Sequence, residues 1–440
     1  MILSDEQKQF VEALDHDVLV SASAGSGKTT TMIAKLIYLI VDKKVPVDRL
    51  LVVTYTEAAA SEMKQKLYLK LQERISESNF NESELNYFYE QLFGVATADI
   101  GTLHSVCKRL VSKYFYEVNV EPGFSILSQE ESANLFNLAL DKVIQKYIEA
   151  SDEQFYEVYE SLNDKRNSQK LKNIITKIYY YLTEKSEPEK YVDFCINECL
   201  EPDILKNRCS TFIYQYYKKN FASFTDFIGY VKENVNDEKF SPYLDNLYAV
   251  LTGLVDCEDI LKMIVYVGSM TLPRMSKPKD PQYIQLYEQV QERIDTFKKG
   301  DLKNFKGKLT GFTEENFAQI SNVFKSYYSK LFEITCRVST TFDQLKVDAG
   351  KLDFSDLQKY TYKILDNPTI QAELKEHYQY IFVDEYQDIN QIQEDILQKL
   401  CSSTNLNMIG DVKQSIYAFR QCKPDIFLNK YNDFISSNSQ

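Results

Sequence analysis

The sequence lacks any hydrophobic run long enough to cross a membrane. Its apolar stretches all fall short of the roughly 18 residues that a membrane-spanning helix requires, so we expect no membrane partner. The N-terminal segment MILSDEQKQF also lacks the basic region and apolar stretch that mark a secretory signal. We therefore expect a cytoplasmic protein.

Cysteine and histidine, the usual ligands of zinc, are scarce and scattered. The chain has eight cysteines and three histidines. Cys195, Cys199 and Cys209 come closest to a cluster, but they lack the paired CxxC spacing of a zinc site. The pattern argues against a zinc site and predicts isolated structural thiols.

An excess of positive charge is also absent. The 51 basic residues are outnumbered by 64 acidic ones, and the net charge of −13 argues against a protein that coats nucleic acid through bulk charge. A local basic groove on an acidic body is compatible with this balance. The segment KKGDLKNFKGK (298–308) has five lysines, with Phe297 and Phe305 close by. Two interpretations stay open: it follows a phosphate backbone and stacks bases, or it forms a solvated loop.

The order of predicted elements indicates an α/β domain that is interrupted. A chain of 440 residues is long enough for two or three domains. Residues 1–122 alternate short apolar strands with helices, and the same pattern returns in residues 346–440. Residues 123–345 instead show long amphipathic helical patterns. We predict one α/β domain with a parallel sheet built from both outer segments, and a large all-α domain inserted between them. The predicted strands are Val18–Val20, Leu50–Thr54, Asp99–Thr102, Tyr380–Val383 and Asn405–Ile409.

A phosphate-binding loop is predicted near the start of the chain. The stretch SASAGSGKTT (21–30) fits the pattern G-x-x-x-x-G-K-[ST], except that Ala22 replaces the first glycine. An apolar strand precedes it, and apolar residues at helical spacing follow it. Lys28 would then neutralise the β- and γ-phosphates of ATP, and Thr29 would bind Mg²⁺. The alternative is a glycine turn that happens to precede Lys-Thr. The predicted nucleotide-binding residues of the loop are Ala22, Ser23, Ala24, Gly25, Ser26, Gly27, Lys28, Thr29 and Thr30.

An acidic pair follows another predicted strand. In IFVDEYQD, Asp384 comes directly after three apolar strand residues, which places it at the carboxyl edge of the sheet, where ligands bind in open α/β folds. We predict that Asp384 holds Mg²⁺ and that Glu385 is the catalytic base that orients or deprotonates the attacking water. The alternative is a solvated acidic turn.

Taken together, these motifs resemble those of a known family. The segments AGSGKT, VTYTEAAASEM, IGTLHSVC, DEYQD and GDVKQSIYAFR resemble the N-terminal motifs of superfamily 1 DNA helicases of the UvrD/Rep kind. Within that group the chain most resembles the AddA (RexA) subunits of helicase–nucleases. Further cues are LPR with a lysine cluster after it, and LDFSDL at residues 352–357. The resemblance covers nearly all of the α/β portion and is patchier in residues 125–340.

The resemblance implies an enzyme that hydrolyses ATP with Mg²⁺ to move along DNA. It implies a RecA-like P-loop domain, single-stranded and duplex-end DNA as substrates, and an AddB/RexB-type partner subunit. The implied role is the processing of DNA ends in double-strand break repair and recombination.

Specific residues take their roles from this resemblance. Gln7 matches a glutamine that reads adenine, and Gln414 matches a catalytic-site glutamine that senses the γ-phosphate and links it to the DNA site. DNA contacts are implied for five further residues. Stacking on bases is implied for Tyr55, Tyr417 and Phe419, and contact near the DNA backbone for Thr102 and His104.

The chain also departs from the family pattern. The position of Phe419 is often tryptophan in the family, and this sequence has no tryptophan. The resemblance further implies a second RecA-like domain, whose arginines complete the ATP site, and a C-terminal nuclease domain. Neither is found in these 440 residues, so we expect part of a larger enzyme that alone binds ATP and single-stranded DNA weakly and hydrolyses slowly.

Two other functions stay open at this point. One is a nucleotide-dependent docking module for DNA or protein that does not translocate. The other is a P-loop ATPase unrelated to nucleic acid, which would leave Tyr55, His104 and Phe419 without a role.

Overall fold

A computed structural model describes most of the chain, which is predominantly helical with a parallel sheet. The described residues are 3–14, 16–22, 27–77, 80–162, 168–309, 314–402, 404–411 and 424–437. No helix among these residues is both long and apolar enough to span a bilayer.

The strands form two sheets, both of them parallel. Five strands lie in the order β1-β7-β6-β2-β3, and β4 pairs with β5. The strands are β1 (Val18–Ser21), β2 (Leu50–Thr54), β3 (Asp99–Thr102), β4 (Ser125–Ile126), β5 (Lys351–Leu352), β6 (Tyr380–Val383) and β7 (Leu406–Gly410).

Helices make up most of the chain between the strands. In chain order they are α1 (Asp5–Glu12), α2 (Lys28–Ile37), α3 (Glu57–Ser76), α4 (Glu82–Gly94), α5 (Leu103–Lys113), α6 (Gln129–Glu149), α7 (Glu153–Leu162), α8 (Gln169–Thr183), α9 (Pro188–Asn197), α10 (Pro202–Glu233), α11 (Phe240–Val255), α12 (Ile260–Ser269), α13 (Ile284–Phe297), α14 (Lys303–Leu309), α15 (Glu314–Asp348), α16 (Phe354–Ile364), α17 (Pro368–His377), α18 (Gln391–Leu400) and α19 (Pro424–Ser437).

Burial on both faces explains why the main strands are short apolar runs. In β2, Leu50 and Val52 belong to a core with α2 and α3, whereas Leu51 and Val53 belong to a core with α5 and α18. Successive side chains of a strand point to opposite faces, so a strand covered by helices on both sides needs apolar residues throughout. The five predicted strands of the main sheet are confirmed to within one residue at each end. The β4–β5 pair, with two residues in each strand, was not predicted.

The chain divides into two compact units. The first contains Met1–Pro188 and Leu331–Gln440, including the main sheet, and the second contains Glu189–Lys330. Helices α6 to α8 therefore belong to the same unit as the main sheet. Within that unit, Tyr147 of α6 donates a hydrogen bond to Glu333 of α15 at 2.9 Å. The predicted domain boundaries at 122/123 and 345/346 divide the chain at other positions and stay a prediction.

The structure overturns one interpretation of the lysine-rich segment 298–308, which belongs to the second unit. Phe297 and Phe305 are 2% and 1% exposed and lie in a core with Phe221 and Phe240, so the interpretation that they stack on bases is wrong. The nearby lysines 298, 299, 303 and 306 are exposed. Phe297, the last residue of α13, and Phe305 of α14 instead anchor these two helices in that core.

A buried ion-pair cluster fixes the start of α16. The ammonium of Lys346 lies 3.2 Å from Asp353 and 2.7 Å from Asp356, and its side chain is 2% exposed. Asp353 and Asp356 also accept each other's backbone N–H groups at 2.9 Å, forming a capping box. Burial would lower the pKa of Lys346, but the carboxylates of Asp356 and Asp353 raise it on balance. The lysine therefore stays charged and compensates both aspartates.

Removing this lysine should strongly destabilise the protein. In Lys346→Met, two buried carboxylates lose their counter-ion, and we expect the free energy of unfolding to fall by about 3–5 kcal/mol. Urea unfolding would measure the loss. The matched control is Lys113→Met, which breaks the exposed pair with Glu373 and should cost about 1 kcal/mol or less. Equal losses in the two variants would contradict the role given to the cluster.

Candidate functional site

The carboxyl edge of the main sheet gathers the predicted motifs. Because the five strands are parallel, the residues that follow them emerge at one edge, among them Ala22, Tyr55 and Asp384. Backbone hydrogen bonds link neighbouring segments at this edge. Ala22 donates a hydrogen bond to Gly410 at 3.0 Å, and Asp384 donates one to Val53 at 2.9 Å. Segments distant in sequence therefore meet in one place.

The predicted phosphate loop leads into the first turn of α2. Gly27 has a φ of 82° and a ψ of 24°, a left-handed conformation that glycine adopts at little cost. Its carbonyl accepts hydrogen bonds from the backbone and hydroxyl of Thr31 at 2.9 and 3.0 Å. Lys28, Thr29 and Thr30 form the first turn, where unpaired N–H groups and the helix dipole favour a phosphate. Residues 23–26, Ser23 to Ser26, lie outside the described residues.

Lys28 forms an ion pair with Glu385 of the acidic motif. Its ammonium lies 3.2 Å from one carboxylate oxygen of Glu385 and 3.4 Å from the other. The side chain of Lys28 is 10% exposed and that of Glu385 is 32% exposed, so the pair is partly shielded from water. The structure thus brings together two residues that were predicted to share one site.

The charge of Glu385 acts on two neighbouring carboxyl groups, those of Asp384 and Asp388. Burial and the neighbouring charge of Glu385 raise the pKa of Asp384 to about 6, although Lys28 partly offsets the effect. Burial and Glu385 likewise raise the pKa of Asp388 to about 6.

Among the described residues, no group of three or more His, Cys, Asp or Glu forms a metal site by itself. A hard cation held by one carboxylate, one hydroxyl and phosphate oxygens suits this donor set better than an all-protein cage.

The backbone and one buried amide fix the position of Glu385. Its φ of 50° and ψ of 45° are left-handed, which is uncommon for a residue other than glycine. Gln387 donates to its carboxylate at 2.8 Å and accepts from the backbone of Asp411 at 2.9 Å. A Cβ on Gly410 would lie 2.4 Å from the Gln387 oxygen, so this close approach requires glycine. Gln387 was not among the predicted site residues, and its only signal in the sequence is its place within DEYQD.

A cavity of about 480 Å³ lies beside the phosphate loop. Its lining includes Gln7, Phe10 and Lys28, from α1 and α2. Gln7 occupies the third position of α1, where its side-chain oxygen accepts from the backbone of Ser4 at 3.0 Å. Its amide nitrogen lies 3.5 Å from the point where a Cβ on Gly27 would be. Gln7 therefore borders the loop as the resemblance implies, but its oxygen also caps the helix.

A second cavity, of about 290 Å³, joins the acidic motif to the predicted DNA-binding residues. Its lining includes Tyr55, Thr102 and His104 together with Asp384 and Glu385. The structure thus brings these five side chains to one cavity. It does not test their roles, which stay predictions.

The side chains of Thr102 and His104 also have structural roles. Thr102 caps α5 by accepting from the backbone of Ser105 at 3.2 Å, and it donates to Glu57 at 2.6 Å. The Nε2 atom of His104 lies 2.9 Å from the amide nitrogen of Gln358. Burial lowers the pKa of His104, against the opposing charge of Glu57. A neutral ring that accepts at Nε2 suits the amide donor and carries its proton on Nδ1.

Besides residues 23–26, three further predicted site residues fall outside the described residues. They are Gln414, Tyr417 and Phe419 of the segment GDVKQSIYAFR. Their roles stay predictions.

Comparison with known proteins gives a consistent set of relatives, each named as the A subunit of an ATP-dependent helicase/nuclease. The chain is 33% identical to the relative from Carboxydothermus hydrogenoformans, over 98% of this chain and 37% of the relative. It is 30% identical to the relative from Natranaerobius thermophilus, over 98% of this chain and 35% of the relative. It is also 30% identical to the relative from Staphylococcus carnosus, over 99% of this chain and 37% of the relative. The chain thus spans little more than a third of the length of these relatives.

The family comparison agrees with these relatives and confirms the resemblance seen in the motifs. The matching family is described as the UvrD/REP helicase N-terminal domain, and the match covers residues 3–435. The chain therefore belongs to the UvrD/REP helicase N-terminal domain family.

Proposed function

We propose that this chain is the ATP-binding motor part of an ATP-dependent DNA helicase. In this proposal residues 1–122 and 346–440 form a RecA-like ATPase domain, and residues 123–345 form a helical insertion. The observation that carries it is the meeting of Lys28, at the start of α2, with Glu385, after β6. A cation at a helix N-terminus suits a phosphate, and a carboxylate at the same sheet edge suits a general base.

Each residue of the proposed ATP site has a distinct task. The first turn of α2 and the Lys28 ammonium bind the phosphates, and Thr29 and Asp384 would hold Mg²⁺, which neutralises charge on the β- and γ-phosphates. When Lys28 turns to the γ-phosphate, the Glu385 carboxylate leaves its ion pair and can orient or deprotonate the attacking water. Gln387 keeps the Glu385 carboxylate in place through its 2.8 Å hydrogen bond.

The shared cavity supports coupling between ATP and DNA. Tyr55, Thr102 and His104 line the cavity that Asp384 and Glu385 also border. An aromatic ring such as Tyr55 can stack on any base, which suits a protein that moves along DNA regardless of sequence. Loss of the Lys28–Glu385 ion pair on nucleotide binding would change the net charge at the wall of this cavity, which Tyr55, Thr102 and His104 also line.

The relatives suggest the larger role. Their shared name is that of the A subunit of an ATP-dependent helicase/nuclease. We therefore extend the proposal to a subunit that acts on DNA ends in double-strand break repair and recombination, with an AddB/RexB-type partner subunit.

The ion pair leads to opposite expectations for its two partners. Lys28→Ala should weaken ATP binding by about 10- to 100-fold, because it removes a charged hydrogen-bond donor to phosphate. Glu385→Gln should bind ATP at least as tightly as the parent, because Lys28 no longer has a competing carboxylate, while hydrolysis is lost. Calorimetric titration with ATP and Mg²⁺ would measure both affinities.

The matched control for these variants is Lys70→Ala, which removes an exposed lysine on α3 that pairs with Glu73. It should leave ATP affinity at the parental value. Parental affinity in Lys28→Ala would remove the basis for the phosphate-loop assignment.

The raised pKa of Asp384 predicts that its charged carboxylate lowers the free energy of unfolding. With metal and nucleotide removed, the folded protein holds this carboxylate charged at a cost at any pH above about 6. Asp384→Asn should therefore increase the free energy of unfolding by about 1–3 kcal/mol near pH 8. The gain should shrink as pH falls through about 6 and vanish below about 4, where the carboxyl group is protonated in both states.

Urea unfolding of parent and variant across this pH range would test the expectation. The control is Asp141→Asn, at an exposed residue paired with Lys172, which should stay within about 0.5 kcal/mol of the parent. A difference between Asp384→Asn and parent that does not change with pH would contradict the account.

A further inference from the structure

A buried lysine packs against one wall of the cavity of about 480 Å³ beside the phosphate loop. Lys35 of α2 is 0% exposed, and its ammonium lies 4.5 Å from the centroid of the Phe10 ring. The same ammonium donates a hydrogen bond to the side-chain oxygen of Asn407 at 2.6 Å. The proposed ATP chemistry gives this lysine no role.

The charge of Lys35 is buried without a counter-ion. Burial lowers its pKa to about 8, so the ammonium is still charged at pH 7. Among the described residues no carboxylate pairs with it, and its partners are the Phe10 ring and the neutral amide of Asn407. A buried charge of this kind lowers the stability of a fold, whereas a methionine would fill a similar space without that penalty. Packing alone therefore does not explain a lysine at this position.

The sheet fixes the position of the ammonium. Asn407 of β7 is 1% exposed, and its amide nitrogen donates to the carbonyls of Ile381 and Asn405, at 3.4 Å in each case. These two bonds orient the amide so that its oxygen accepts from Lys35. The lysine therefore links its own helix, α2, to β7 and to the ring on α1.

The wall that α1 contributes suits a nucleobase. Phe10 lines the cavity, and Gln7 lies one turn before it on the same helix. Within this cavity Lys28, at the start of α2, suits a phosphate. An aromatic ring and an amide that both donates and accepts suit instead a flat, neutral base with a hydrogen-bonding edge.

The contact with Lys35 matters because α1 is short. The helix has eight residues, Asp5–Glu12, of which Phe10 and Val11 are buried. A helix of this length is marginal on its own, so its tertiary contacts determine where its side chains stand. A cation over an aromatic ring contributes most when it is desolvated, as the ammonium of Lys35 is.

We infer that Lys35 is a positioning residue for the nucleobase of ATP. Its ammonium holds the Phe10 ring, and with it α1 and Gln7, at the wall of the cavity. Lys35 itself is fully buried and acts through the ring. The inference deepens the proposed function and rests on it, because it needs a chain that binds ATP in this cavity.

Two ligands separate the nucleobase from the phosphates, because inorganic tripolyphosphate carries only the phosphates of ATP. Lys35→Met keeps a long side chain without its charge and should weaken ATP binding by about 2- to 30-fold, the equivalent of losing a cation–π contact of about 0.5–2 kcal/mol. Its affinity for tripolyphosphate should stay parental. Calorimetric titration with Mg²⁺ at pH 7 measures the ATP affinity, and displacement of ATP measures that of tripolyphosphate.

A double-mutant cycle tests whether the lysine acts through the ring. Phe10→Leu should weaken ATP binding by itself, and adding Lys35→Met should then cause no further loss, because the contact is already absent. The matched control is Lys8→Met, at an exposed lysine of α1 paired with Asp5, which should leave both affinities parental. Thermal melting checks that each variant is folded. If Lys35→Met does not fold, Lys35→Gln takes its place, since glutamine is uncharged and can still donate to Asn407.

The outcomes distinguish failure of the inference from failure of the proposed function. If the parent binds ATP and the lysine variant keeps the parental ratio of ATP to tripolyphosphate affinity, Lys35 is only structural, so the inference is overturned and the proposed function stands. Additive losses in the cycle with Phe10→Leu overturn it as well. If the parent binds no ATP, the proposed function fails and the inference fails with it. A loss confined to ATP, and absent once Phe10 is replaced, supports both.

Discussion

The ion pair between Lys28 and Glu385 is the contact on which the candidate site depends. It joins segments 357 residues apart in sequence, and it forms where β1 and β6 end at the same edge of one parallel sheet. The helix start after Gly27 positions the lysine, and Gln387 positions the glutamate. The sheet thereby places a cation that suits phosphate beside a carboxylate that suits proton transfer.

The same pair explains how nucleotide and DNA could influence each other. Glu385 lines a cavity with Tyr55 and His104, so nucleotide binding that draws Lys28 away changes the charge of that cavity's wall. Coupling of this kind is reciprocal, because a ligand that favours one state of the pair also favours any other ligand of that state. Helix α16, held by the buried Lys346 cluster, places Gln358 against His104 in the wall of that cavity.

The sequence predicted the parts of the fold that local pattern determines. Strands such as Leu50–Thr54 were predictable because burial on both faces demands an uninterrupted apolar run, and Lys28 and Glu385 were predictable from motifs after such strands. Contacts between distant segments were not. The Gln387–Asp411 hydrogen bond depends on strand order, and burial of Phe305 depends on the packing of α14, neither of which leaves a periodic signal.

The most direct test of the central claim is ATP hydrolysis by this chain with and without single-stranded DNA. We predict slow hydrolysis that DNA stimulates, because Asp384 and Glu385 of the proposed ATP site line one cavity with the predicted DNA-binding residues. We also predict that Glu385→Gln abolishes it. ATP binding with hydrolysis that DNA does not change would contradict the coupling. It would indicate a nucleotide-dependent docking module in place of a motor.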